Sequence, residues 1–157
     1  MVIWTFEIEI YLGFEICILV FSKIRTMGIE RDYLMRQLMM LFDVIEKIIR
    51  YRKKGEKEKA EDEIEYFYNS LNIESEIKSM SIENLLKFLE TEKKLTNEHI
   101  EMIAFVLKEQ GELSESEENR LNFFGKAYFL LDKVERESIT FSMDRQMKMG
   151  ELRGYLN

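Results

Sequence analysis

The chain has 157 residues, 46% of them apolar, a formal charge of −7 and a pI near 5.0. That length supports one sizeable core rather than two, and the negative field repels phosphate backbones, which excludes nucleic acid as an expected partner. A single cysteine, Cys17, excludes an intrachain disulfide and fits a reducing, cytoplasmic setting, while one cysteine and one histidine cannot assemble a Cys/His zinc site.

Residues 1–21, MVIWTFEIEIYLGFEICILVF, carry 16 apolar side chains interrupted by Thr5, Glu7, Glu9, Gly13 and Glu15. A secretory signal would need a basic start and a small-residue cleavage site, and neither is present. A membrane anchor has the length and the flank of Lys23 and Arg25 in its favour, but Glu15 inside the span would cost on the order of 3 kcal/mol. The alternation in TFEIEIY is strand-like, yet a lone strand has no partner, and a helix packed on the following domain fits equally. The expectation adopted is that residues 1–26 are an apolar extension from an over-long gene assignment and that residues 27–157 form one helical domain.

Proline is absent, where average usage of about 5% would supply roughly eight, so helices are expected throughout. Leu34, Leu38, Leu41, Phe42, Ile45, Ile48 and Ile49 recur at steps of three and four, which predicts a first helix from about Asp32 to Lys54 with one buried stripe. Gly55 ends it as a C-terminal cap. A second helix follows, with Ala60, Ile64, Phe67, Tyr68 and Leu71 inward, so that the pair forms an antiparallel hairpin.

Ser81 caps a short helix from Ile82 to Glu92. Asn97 caps the next, with Ile100, Ile103, Ala104 and Leu107 inward and Gly111 as its stop. Ser114 and Glu117 have the spacing of a capping box and open a long helix through Leu121, Phe124, Tyr128, Leu131 and Val134. The last amphipathic segment, Phe141 to about Leu152, turns Met143, Met147 and Leu152 inward. Six helices are thus expected after Met27.

Chemistry-bearing patterns are few. Gly-rich nucleotide cradles are missing, and a di-iron bundle would need paired Glu-x-x-His motifs, whereas the lone His99 follows Thr96 at that offset. His99, in the first turn of a helix, is expected on the surface and outside any catalytic triad. The carboxylate runs EKEKAEDEIE and SESEEN read as solvated helix faces. KIIRYRKK, residues 47–54, sets five cations at the negative end of the first helix, and an anion or acidic-partner patch is its competing reading. Methionines at helical spacing are expected as core filler before adaptable binding surface.

One spacing is sharper. Leu121, Phe124, Gly125, Tyr128 and Phe141 fall where a tetratricopeptide hairpin places its large, Leu, Gly, Tyr and second-helix Phe residues. Glu137, Asp144 and Met149 occupy that pattern's two Ala positions and its terminal Pro, and no second copy lies 34 residues upstream. The segment resembles one degenerate hairpin rather than an array.

RDYLMRQLMMLFDVIEKII with its basic helix end, and NFFGKAYFLLDKVE further on, resemble an uncharacterised family of small helical proteins from firmicute bacteria. Its members open with Asp-Tyr-x-Met-Arg, here Asp32, Tyr33, Met35 and Arg36. The resemblance covers residues 27–157 and implies a helical, repeat-like fold with no established activity.

The expectation that follows is an all-α domain of antiparallel helical hairpins, tetratricopeptide-like in its C-terminal half. It is expected to act without catalysis, cofactor or metal, as a cytoplasmic scaffold or interaction module. Its partner would be another protein or a second copy, since so apolar a short chain exceeds what one core hides. Tyr33, Met35, Arg36 and Tyr128 are the candidate partner-binding residues. The alternative is a membrane-associated helical protein anchored by residues 1–21.

Overall fold

Six α-helices and, among the described residues, no strand make up the computed structural model. It describes the backbone of residues 2–73 and 75–157 and the side chains of residues 28–73 and 77–157. The helices are α1 (Val2–Lys53), α2 (Lys57–Ser70), α3 (Ile82–Lys87), α4 (Asn97–Leu113), α5 (Glu117–Glu137) and α6 (Met143–Leu156). A 3-10 turn, Ser75–Lys78, precedes α3, and a wider π turn, Phe88–Glu92, prolongs it. The expected all-α class and the six helical segments are borne out. The chain divides into two compact units, residues 1–39 and 40–157.

In the first unit Ile29, Tyr33, Met35 and Met39 are exposed. The side chains of residues 1–21, on which the alternative anchor depends, lie outside the described residues. Among those described, no helix is long and apolar enough to cross a membrane. The expected start of the first helix near Asp32 is corrected, because α1 is already helical from Val2.

The second unit is built around α4, which packs on α5, α2 and α6. Ile103 to Gly111 are buried without a break, so this helix sits inside the unit instead of presenting one apolar stripe. Three consecutive polar residues there point about 100° apart, and each meets a different element. Lys108 Nζ reaches Glu151 of α6 at 2.9 Å, Glu109 pairs with Arg52 at the end of α1, and Gln110 accepts a 2.6 Å hydrogen bond from the Tyr68 hydroxyl of α2. Burial alone would pull the Lys108 ammonium down, but the Glu151 hydrogen bond and the charges of Glu109, Glu151 and Glu112 hold it above its usual range.

Helix ends follow the expected devices in part. Gly55, at φ +75°, ends α1. Its N–H donates to the Arg52 carbonyl and that of Glu56 to the Tyr51 carbonyl, both at 3.0 Å, the paired bonds of a Schellman motif. Asn72, at φ +52°, ends α2 in the same way, with Ile73 N–H donating to the Tyr68 carbonyl at 2.9 Å. Asparagine tolerates this left-handed backbone better than most residues. Ser81 caps α3 as expected, accepting from Asn84 N–H.

Other expectations are corrected. Ser116, not Ser114, caps α5 by accepting from Asn119 N–H, and Ser114 instead ends α4. Thr96 precedes α4 where Asn97 was expected to cap it; Asn97 Oδ1 accepts from Lys133 Nζ at 2.7 Å. Gly111 does not stop α4, which continues to Leu113. Phe42, Leu121, Met143 and Met147, expected inward, are exposed, whereas Met149 is buried. The core positions nearest to them in sequence are held by Leu41, Phe124 and Met149.

His99 also departs from expectation, being buried with 5% of its surface exposed. Nδ1 lies 2.9 Å from Thr96 Oγ1, and Nε2 is buried without a hydrogen bond among the described residues. Burial holds the imidazole below its ordinary value of 6.5, the nearby Glu98 charge opposing this more weakly. As the pH falls the unfolded chain therefore binds the proton first. The stabilisation is fully present above about pH 6.5 and is lost as the pH drops below that value towards the lower folded pKa. Urea unfolding between pH 7.5 and 5.5 is expected to show a decline, from this one group, of at most ~1.4 kcal/mol per pH unit. That part is expected to be absent from His99→Phe, and equal slopes for the two proteins would disprove the assignment.

Candidate functional site

α2 and α5 both approach α4 and leave a cleft of about 870 Å³ between them, within the size range of ligand-binding concavities. Ile64, Tyr68, Ile73, Ile77, Leu113 and Phe123 supply its apolar lining. Leu113 and Phe123 are half-buried, whereas the other four are buried. The Tyr68 hydroxyl is committed to Gln110, and burial raises its pKa far above the ordinary phenol range, so it stays neutral.

Lys57, Glu61, Glu65 and Asn69 line the cleft from α2, at the four-residue steps that keep one helix face in register. Twelve rises separate Lys57 from Asn69, about 18 Å at 1.5 Å each. At one end Lys57 Nζ meets Glu115 Oε1 at 2.8 Å. That hydrogen bond raises the lysine pKa and lowers the carboxyl's. Ser114, Ser116 and Asn119 continue the opposite rim.

The outer edge of α2 is acidic. Glu58, Glu61, Asp62 and Glu65 are all exposed, and among the described residues none of the four forms an ion pair. Lys78 is the cation at the far end of the cleft. Beneath it, buried Lys126 donates to the carbonyls of Ile77 at 3.1 Å and Lys78 at 2.9 Å. This ties the 3-10 turn to α5, and burial lowers the Lys126 pKa.

Among the described residues no cluster of His, Cys, Asp or Glu could hold a metal ion. No family model, curated protein or solved structure matches this chain. The site is therefore read from its own geometry.

Of the four residues singled out from sequence, three belong to the first unit and one to the second. Tyr33, Met35 and Arg36 are exposed on α1 within the first unit. Tyr128, on α5 of the second unit, is half-buried, and its hydroxyl accepts from Arg153 Nε at 3.0 Å while the same guanidinium lies over its ring. None of the four lines the cleft.

The basic end of α1 is partly neutralised. Arg52 is taken by Glu109 of α4, and Arg50 and Lys59 lie 5.6 and 5.7 Å from the centre of the Tyr51 ring. Lys47, Lys53 and Lys54 remain exposed, and the last two line, with Glu46, Ile49 and Arg50, a shallower concavity of about 530 Å³.

The cleft draws on α2, the 3-10 turn, α4 and α5, so no local motif could announce it. The available signal was the register of Lys57, Glu61 and Glu65 beside inward Ile64 and Tyr68. It marks a helix whose acidic face borders directly on its apolar one.

Proposed function

We propose that this chain is a non-enzymatic protein-interaction module that receives its partner in the cleft along α2. What carries it is the combination of an apolar lining, half-buried at Leu113 and Phe123, with a rim whose Glu61 and Glu65 form no ion pair among the described residues. Recognition surfaces combine such an apolar centre with a polar rim. Several polar groups at the cleft are already committed: Tyr68 to Gln110 and Lys57 to Glu115. The chain's one histidine does not line it, so no nucleophile there has an imidazole base beside it. That supports binding over catalysis.

The partner on this reading is a protein, the setting is the cytoplasm, and the hairpin of α5 and α6 is the tetratricopeptide-like part. Membership of the firmicute helical family belongs to the same proposal. The test is in-cell proximity labelling with wild type and with Phe123→Glu, which places a charge on the apolar lining. The set of labelled neighbours is expected to collapse in the variant while its helical circular dichroism is retained. An unchanged set from a folded variant would overturn the reading.

A further inference from the structure

We infer that the occupant of the cleft is a basic amphipathic α-helix of about three turns, lying alongside α2. The inference rests on the cleft being a protein-docking site and specifies what docks there. Length is the first consideration: the lining positions run from Lys57 to Asn69, which at 1.5 Å per residue is the reach of a twelve-residue helix, about 18 Å.

Shape and polarity come next. One long side of the cleft is α2 itself, and its apolar lining has buried Ile64, Tyr68, Ile73 and Ile77 at its floor, with Leu113 and Phe123 half-buried. A helix with apolar residues at i, i+3, i+4 and i+7 presents a stripe matching such a lining. Its flank would then lie against the α2 edge.

Charge decides the chemistry of that flank. Glu58, Glu61, Asp62 and Glu65 stand exposed at helical spacing without an ion pair among the described residues. Lys57, the cation closest to them on the rim, is held by Glu115. Lysine or arginine on the docking helix would complement this edge, whereas an acidic helix would meet Glu61 and Glu65 in the cleft, with Glu58 and Asp62 on the same helix outside it and Lys78 only at the far end. Complementary charge sets which partner is accepted more than how tightly an apolar surface adheres.

The experiment uses the full chain and two fluorescein-labelled 14-residue peptides with the same leucine stripe, one with lysine and the other with glutamate at the polar positions. Anisotropy titrations at 50 and 200 mM NaCl are expected to give saturable one-to-one binding of the lysine peptide, weaker at the higher salt because screening shortens the field. The glutamate peptide is expected to bind at least tenfold more weakly. In Glu61→Lys/Glu65→Lys, both exposed positions, the preference is expected to invert.

Equal affinity for the two peptides, or a lysine-peptide affinity unmoved by the charge reversal, would overturn the inference. So would failure of the lysine peptide to bind at all. If that failure coincides with a labelled-neighbour set that still depends on Phe123, the cleft docks a protein of another kind. If the dependence on Phe123 fails as well, the interaction reading itself has failed.

Discussion

Replacing Arg145 by methionine is expected to destabilise the second unit by ~3 kcal/mol, the lower end of the cost of breaking a buried ion pair. The guanidinium has 3% of its side chain exposed and donates in three directions. Nε reaches Glu135 Oε2 at 2.5 Å, one terminal nitrogen reaches Glu101 Oε2 at 3.0 Å, and the other reaches the Thr140 carbonyl at 2.8 Å. One side chain at the start of α6 thus fastens α4, α5 and the loop between α5 and α6. Burial alone would lower its pKa, and the two carboxylates more than restore it.

Methionine fills a similar volume but leaves Glu101 and Glu135 facing each other without their cation. Both retain some exposure, 19% and 31%, so part of the loss is recovered by hydration, which places the cost at the lower end. Arg145→Lys keeps the charge but not the planar fork, and is expected to fall between wild type and Met. Urea unfolding should show the midpoint falling in that order with an unchanged slope. A methionine variant within 1 kcal/mol of wild type would show that the clamp adds little.

The period of the apolar residues made the helices legible, and Gly55 and Ser81 marked two of their ends correctly. Periodicity failed where the register of the stripe was ambiguous, as with Leu41 buried beside exposed Phe42, or Met149 buried where Met147 is exposed. It failed more deeply in α4. Lys108, Glu109 and Gln110 read locally as a solvated turn of helix, and nothing in that stretch reveals that Glu151, Arg52 and Tyr68 arrive from three other helices to satisfy them. His99 was misplaced for the same reason, since a histidine in a first turn is on the surface only if the helix itself is peripheral. The cleft was hidden because it lies where α2 and α5 both pack on α4 more closely than on each other, and sequence patterns report what packs.

Gly111 separates a stop signal from a packing requirement, and the sign of one substitution in two backgrounds tests which applies. A Cβ built on Gly111 would lie 2.5 Å from Phe124 Cε1 and 2.6 Å from Cδ1, closer than real contacts allow. The ring cannot easily retreat: Phe124 is fully buried and stacks on Tyr155 with centroids 4.8 Å apart. Glycine here lets the α5 ring rest on the α4 backbone, although glycine within a helix costs about 1 kcal/mol relative to alanine. Gly111→Ala is therefore expected to destabilise by up to ~2 kcal/mol net, since against a ring held this tightly an overpacking cost of about 1–3 kcal/mol outweighs the propensity gain of about 1 kcal/mol. Phe124→Ala alone is expected to cost ~3–5 kcal/mol. Once the ring is gone the overlap disappears and only the propensity gain remains, so Gly111→Ala should stabilise the Phe124→Ala protein by up to ~1 kcal/mol. The four denaturation curves of this cycle decide the matter, because a helix stop at Gly111 would give the alanine substitution the same sign with or without the ring.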